Sequence, residues 1–242
     1  MLADNTKISQ KERLCDTMVS LSSLLFCGSL EEARKIVMDC AKQYEKNLLN
    51  KNFIIIYRDR LSNQIKDLEV FFGKENYQHL TGIELIDEDG NIREHVSKLF
   101  FEKCIKNTLS KKEFQMKKDG TTNLKLQALP TIMEIHKVTK IAGDFDYSRP
   151  FLVADKVVGN INFCLELKCI NEFFVPVSAI MENIKSITTN QSQVLAILSK
   201  ETADLIYSNI RHVAKGLNLN NLVIPENIKS KITLENYVFK SK

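Results

Sequence analysis

Apolar residues in the first fifty positions recur at helical spacing. Leu14, Met18, Leu21 and Leu25 fall three or four residues apart, and Gly28 ends the run. Ser29 and Glu32 then form an S-x-x-E pair of the kind that caps a helix, and Ala33, Val37, Cys40, Ala41, Tyr44 and Leu48 follow as one apolar stripe. The pattern predicts a short helix and then a second over about 30–49. From Asn52 the period changes. Phe53-Ile54-Ile55-Ile56-Tyr57 and Leu68-Glu69-Val70-Phe71-Phe72 are short β-branched and aromatic runs separated by charged residues, which predicts two paired strands.

Further along, Val96, Leu99, Phe100, Lys103, Cys104 and Ile105 describe an amphipathic helix, and Ser110 with Glu113 predicts the cap of a shorter one. Asp119-Gly120-Thr121-Thr122 reads as a turn into another helix, which Pro130 either kinks or restarts. Beyond Lys140 the runs at 141–146, 151–153, 160–168, 173–177 and 194–198 read as strands, 206–215 fits helix or strand equally, and the polar tail is expected to wrap the surface. Helices first and strands later predict an α+β fold, with N-terminal helices followed by a mainly antiparallel sheet with packed helices. The boundaries expected are a helical extension over 1–28, a central domain over 29–216 and a tail over 217–242.

Composition narrows the class. A chain of 242 residues with 44% hydrophobic and 26% charged residues, 8 Gly and 4 Pro is an ordinary packed globule, neither collagen-like nor broadly disordered. The formal charge of +4 is too small to announce a nucleic-acid binder, but it is unevenly spread. Between Lys103 and Lys140 nine lysines face three acids, Glu113, Asp119 and Glu134, a local +6 against −2 elsewhere. Six irregularly spaced cysteines read as reduced, mostly buried thiols, since Cys164 and Cys169 lack zinc-site partners. The run from Leu14 to Cys27 is interrupted by Asp16 and serines and has no Ala-x-Ala site, and no segment is long and uncharged enough for a membrane helix, so a cytoplasmic protein is expected. Phosphate-loop, G-x-G-x-x-G, H-E-x-x-H and G-x-S-x-G signatures are missing.

Candidate chemistry is sparse. Of four histidines, His95 reads as solvated surface, His136 as a satisfied, partly buried imidazole, and His212 lies in the ambiguous segment. His79 differs, standing in a short polar interruption between a strand and the next element, beside Thr81 and Gly82, where loops concentrate functional side chains. Asp144 and Asp146 would share one face of a strand, which suits a divalent metal or, more simply, ion pairs to Lys140 or Arg149. The lysine-rich stretch has few aromatics, so phosphate contact fits it better than base stacking; a solvated helical face is the plainer alternative. Arg149 and Lys156 are further cations able to stabilise a pentacovalent phosphate.

Three stretches share a resemblance. Gln78-His79-Leu80-Thr81-Gly82-Ile83, the run Lys117-Lys118-Asp119-Gly120-Thr121-Thr122-Asn123-Leu124-Lys125-Leu126, and Gly143-Asp144-Phe145-Asp146-Tyr147-Ser148-Arg149-Pro150 with Ala154-Asp155-Lys156 resemble the fourth group of phage-associated Barnase-EndoU-colicin-RelE-like nucleases, over roughly 30–216. The resemblance implies a compact Barnase/RelE-like α+β core and endoribonuclease chemistry with no metal or other cofactor, in which the RNA 2′-OH attacks the adjacent phosphate. It implies His79 as acid or base, and Lys118, Arg149 and Lys156 as phosphate or charge-stabilising groups. Thr81 and Ser148 would be hydrogen-bond donors, and Lys117 and Lys125 RNA contacts. RNA, such as tRNA or another structured RNA, is the partner implied, with room for an inhibitory protein and none for a membrane. A catalytically silent RNA- or protein-binding module on the same basic surface is the alternative, and a metal enzyme built on Asp144 and Asp146 a distant third. The expectation specific enough to check is that His79, Arg149 and Lys156 meet on one face of the sheet.

Overall fold

The computed structural model describes residues 28–147 and 154–239. Helix α1 (Leu30–Asn47) begins with the reciprocal Ser29–Glu32 capping box and buries Ala33, Val37, Cys40, Ala41 and Tyr44. Strands β1 (Lys51–Arg58) and β2 (Ile65–Phe71) follow as an antiparallel hairpin. Helix α2 (Lys74–Thr81) leads into β3 (Ile83–Leu85), which pairs with β4 (Phe114–Met116) around the intervening α3 (Ser97–Ile105). Two more helices, α4 (Thr121–Ile132) and α5 (Ile135–Val138), precede β5 (Ile141–Phe145), β6 (Lys156–Gly159), β7 (Cys164–Ile170) and β8 (Phe173–Ile180). The short α6 (Ile184–Ile187), the long β9 (Thr188–Glu201), β10 (Asn209–Val213), a 3-10 turn (Leu219–Asn221) and α7 (Glu226–Lys229) complete the described chain.

The strands do not make the expected antiparallel sheet with packed helices. They run in the order β1-β2-β8-β7-β6-β5-β9, and β9 returns to pair with β1, so the sheet closes into a seven-stranded barrel with β10 added on β9. The barrel is mixed, because β2 meets β8 in parallel at Val70 and Phe174. Closure rests on pairing Lys51 with Glu201 and Arg58 with Gln193, contacts between distant parts of the chain that no local period encodes.

Phe53, Ile55, Val70, Val158, Leu165 and Ile197, from five ring strands, converge with Ile135 and His136 on a void of about 10 Å³. A space that holds at most one water marks a packed interior, as in other small barrels, and no ligand chamber. Outside the ring, Ile54, Ile56, Ala196 and Leu198 are covered by Tyr207 and by Leu219 and Ile228 of the tail. The tail is pinned by Lys231, whose ammonium lies 3.0 Å from Asp67 and 2.7 Å from Glu69. On β5 to β7, Phe145, Val157 and Cys164 pack under Ile184 and Ile187 of α6. Helices α1, α2 and α3 join the main core through Tyr44, whose ring centroid lies 5.0 Å from that of Tyr77, 5.7 Å from Phe101 and 6.1 Å from Phe72.

Several local expectations change for identifiable reasons. Glu113 Oε2 accepts the Ser110 N–H at 3.0 Å, but the Glu113 N–H also donates to Ser110 O at 3.1 Å, so the capping pattern closes a turn ahead of β4 and starts no helix. Pro130 does not start a new helix, since α4 runs through it to Ile132. The ambiguous 206–215 segment contains strand β10. The expected helix at Leu14–Leu25 and strand at 151–153 lie outside the described residues. Cys40, Cys104 and Cys164 are free and buried, and burial pushes each thiol up to about 12, while Cys169 is exposed. No described helix is long and apolar enough to cross a membrane.

The turn from β6 to β7 has no room for a side chain at Gly159, where a Cβ would stand 2.3 Å from Phe163 O and 3.1 Å from the Cys164 Cα. Gly159→Ala is therefore expected to cost about 3 kcal/mol, the upper end of the usual overpacking range, because the obstacle is backbone. Urea unfolding should show this as a lower midpoint at unchanged slope; a midpoint equal to wild type would mean that the hairpin relaxes freely.

Candidate active site

His79 lies on a helix, not in the polar loop expected for it. The short window hides the helical spacing of Tyr77, Leu80 and Thr81, all buried on the inner side of α2. The start of α2 is held by the Asn76 side chain, which accepts the Gly73 N–H at 2.8 Å, and by the Tyr44 hydroxyl, which donates to Gly73 O at 2.8 Å. Tyr77 donates its hydroxyl to Val37 O at 2.5 Å. Thr81 is fully buried, and its hydroxyl both donates to Gln78 O at 2.8 Å and accepts the Ile83 N–H at 3.1 Å, which secures the helix end. That leaves His79 on the exposed side of the last turn.

The end of α2 meets the start of α4. Gly82 turns the chain out of the helix at φ 68, a conformation that penalises any Cβ. Thr122 donates its hydroxyl to Gly82 O at 2.6 Å and accepts the Lys117 N–H at 2.9 Å. This knot sets Lys125 one turn further along α4, where its ammonium donates to the His79 carbonyl at 3.1 Å and places positive charge at the helix C-terminus. Desolvation first, then the charges of Lys125 and Lys117, lower the His79 pKa below its ordinary value, so its imidazole is neutral at pH 7. Lys125 is itself lowered by desolvation and by Lys117, against the opposing pull of Glu166 and Asp119.

Glu166 on β7 is the group that sequence reading missed. It is 1% exposed, its Oε1 has no hydrogen-bond partner, and burial raises its carboxyl to about 7, opposed by the Lys125 charge and a hydrogen bond from Ser178. A lone Glu between Leu165 and Leu167 in a strand otherwise apolar around it was the available signal, since such a residue belongs to one of two buried faces. Asp119 adds a depressed carboxylate, held by the Thr121 N–H at 2.9 Å and hydroxyl at 2.8 Å, near Lys117 and Lys125.

The structure thus brings His79, Lys117 and Lys125 together, while Thr81 is buried and uses its hydroxyl on the helix end. Lys117 and exposed Lys118 border a groove of about 380 Å³ along the paired strands β3 and β4. Lys156 has a different neighbourhood: it is ion-paired with Asp144, whose other oxygen accepts from Asn190 Nδ2 at 3.0 Å. Ser148 and Arg149 lie outside the described residues, so the expected meeting of His79 with Arg149 and Lys156 is left as an expectation. Asp144 thus has Lys156 as an ion-pair partner, and Arg149, one of the two cations expected for the Asp144-x-Asp146 pair, lies outside the described residues. Among the described residues no group of three or more His, Cys, Asp or Glu side chains is arranged to hold a metal ion. His95 is exposed at φ 56. His136 is more buried than expected, stacked 5.6 Å from Phe53 with an unpartnered Nδ1 and held down to about 4 by burial.

A neutral imidazole beside two ammonium groups, with a protonatable carboxyl behind them, is equipped to move protons next to an anion. The family model of the phage-Barnase-EndoU-ColicinE5/D-RelE like nuclease4 (PBECR4) matches residues 36–216, and the chain belongs to that nuclease family. No curated protein and no solved structure matches it.

Glu166 makes stability depend on pH. Its folded-state pKa of about 7 lies above the ordinary 4.5, so the folded protein keeps a proton that the unfolded chain has lost between these values. That contribution is complete below pH 4.5 and is lost as pH rises through about 7. Glu166→Gln, which keeps the shape and an acceptor for Ser178, is expected to gain up to about 3 kcal/mol on wild type at pH 8 and little at pH 4.5. Chemical unfolding at both pH values checks this; an equal difference at both would place the Glu166 carboxyl in a solvated, ordinary environment.

Proposed function

We propose that this nuclease is a metal-independent endoribonuclease working at the junction of α2, α4 and the paired strands β3 and β4. What carries the reading is the convergence of His79, Lys117 and Lys125, two of them drawn from separate helices, around one exposed helix end. An RNA substrate brings its own nucleophile, so the protein has to supply a base, an acid and positive charge. The unprotonated ring nitrogen of His79 takes the 2′-OH proton as the 2′ oxygen attacks phosphorus. Lys117 and Lys125 hold the phosphate oxygens as charge grows on them. The bond from phosphorus to the 5′ oxygen breaks, and the leaving oxygen takes a proton from Lys125, which its lowered pKa makes a better donor than an ordinary lysine. The products are a 2′,3′-cyclic phosphate and a 5′-hydroxyl. Lys118, on the rim of the adjoining groove, extends the contact to a neighbouring phosphate. Structured RNA such as tRNA is the substrate class, and an inhibitory protein would act by covering the same helix end.

Purified protein is expected to cleave total RNA in excess EDTA, to leave cyclic ends and to spare DNA. His79→Ala should lower the rate about 10²- to 10⁴-fold with folding retained. Activity should rise with pH as His79 loses its proton, below the ordinary imidazole value, and fall through about 7, where ionised Glu166 strengthens the hold of Lys125 on its proton. Glu166→Gln should remove the limb near 7 and leave the acidic limb in place. Cleavage abolished by EDTA, or full activity in His79→Ala, would overturn the mechanism. Absence of cleavage with retained RNA binding would favour a silent binding module.

A further inference from the structure

A second cationic region lies across the ring from His79. Helices α2 and α4 pack on β8, which is separated from β9 by two strands in one direction and three in the other. Beyond β9, a cleft of about 570 Å³ opens between the end of β10 and the last described residues of the tail. This volume suits a small organic ligand. Lys140, His212 and Lys215 line it, and none of its described lining residues is acidic. The Lys140 ammonium sits 3.4 and 3.3 Å from His212 Nδ1 and Nε2, so two nitrogen groups face the same space without a carboxylate between them. Burial and the Lys140 charge hold His212 down to about 4, which leaves its imidazole neutral and the local field set by lysine. Aromatic and apolar residues line the cleft as well, among them Leu217, Tyr237 and Phe239. Tyr237 is fixed in place by its hydroxyl, which donates to Leu217 O at 3.1 Å and accepts the Leu219 N–H at 3.4 Å.

An unneutralised cationic end beside a fixed aromatic wall matches a ligand with an anionic group at one end and a flat ring at the other. We propose that this cleft binds a nucleoside phosphate, with the phosphate on Lys140, Lys215 and His212 and the base against Tyr237 and Phe239. The same chemistry is offered by a free nucleotide and by the phosphorylated 5′ end of an RNA strand. The proposal stands on residues outside the His79 site and does not depend on the ribonuclease reading.

Calorimetric titration of the full chain tests it with AMP, adenosine, inorganic phosphate, and a short 2′-O-methyl oligonucleotide with and without a 5′-phosphate, which offers no 2′-OH to cleave. AMP should bind at least tenfold tighter than adenosine or phosphate alone. Lys140→Gln, a change at an exposed side chain, should weaken AMP at least tenfold and leave adenosine unchanged. Tyr237→Leu should weaken AMP and leave phosphate unchanged, with circular dichroism confirming that both variants fold. Phosphate-dependent binding of the oligonucleotide as tight as that of AMP would assign the cleft to RNA ends; AMP binding alone would assign it to a free nucleotide. AMP affinity no better than that of phosphate, or wild-type affinity in folded Lys140→Gln, would overturn the proposal.

Discussion

Strand β1 is hydrogen-bonded along both edges, to β2 on one side and to β9 on the other, and this double pairing is what turns a run of strands into a barrel. A strand in that position is buried on both faces, which explains why Phe53-Ile54-Ile55-Ile56-Tyr57 is continuously apolar instead of alternating. Its odd-numbered residues Phe53 and Ile55 enter the barrel, and its even-numbered Ile54 and Ile56 need a cover from elsewhere in the chain. The tail supplies that cover, so Leu219 and Ile228 follow from the closure of the ring as much as β9 does. The ion pairs of Lys231 with Asp67 and Glu69 fix the position of the cover but are partly solvated; most of the attachment is apolar area.

The barrel gives the helices a rigid wall. Tyr44 of α1 touches the rings of Phe72, Tyr77 and Phe101, so one side chain links the strand end after β2 to α2 and α3. With α2 clamped at both ends, by Tyr44 and Asn76 at Gly73 and by Thr122 at Gly82, His79 has little choice of position. Rigid placement matters more for a site of two or three groups than for a larger one, because no neighbour compensates for a misplaced member. The buried carboxyl of Glu166 and the ammonium of Lys125 act on one another's charge within this frame.

Much of this was legible in the sequence, and the failures have a common cause. The Ser29–Glu32 cap, the β1–β2 hairpin and α3 were readable because their determinants lie within a few residues of one another. The family resemblance also came from local stretches, and the match over 36–216 supports it. Barrel closure and the parallel contact of Val70 with Phe174 depend on contacts far apart in the chain, which leave no periodic trace. The helical nature of Lys74–Thr81 was obscured by length, since eight residues hold only two turns of pattern. Glu166 could be seen as an oddity between leucines, but not as a neighbour of Lys125, because that pairing exists only once α4 lies on β8.

The most conspicuous sequence feature, the Asp144-x-Asp146 pair with Lys156 nearby, illustrates the difference between a motif and a site. Asp144 is held by Lys156 on the adjacent strand β6 and by Asn190 of β9, and the same Asn190 amide donates to Asp59 Oδ1 at 3.1 Å. Asp59, just past the end of β1, also accepts the Ser62 N–H and hydroxyl at 3.0 and 2.6 Å, and these bonds hold its carboxyl far below the usual carboxylate range. One amide thus bridges two carboxylates at the place where β1, β5, β6 and β9 come together. Both acids are already supplied with donors, and Lys156 offsets the charge that their approach creates. Those contacts give Asp144 and Asp59 a structural task at the barrel seam, where the strands that close the ring are tied to one another by side chains as well as by backbone.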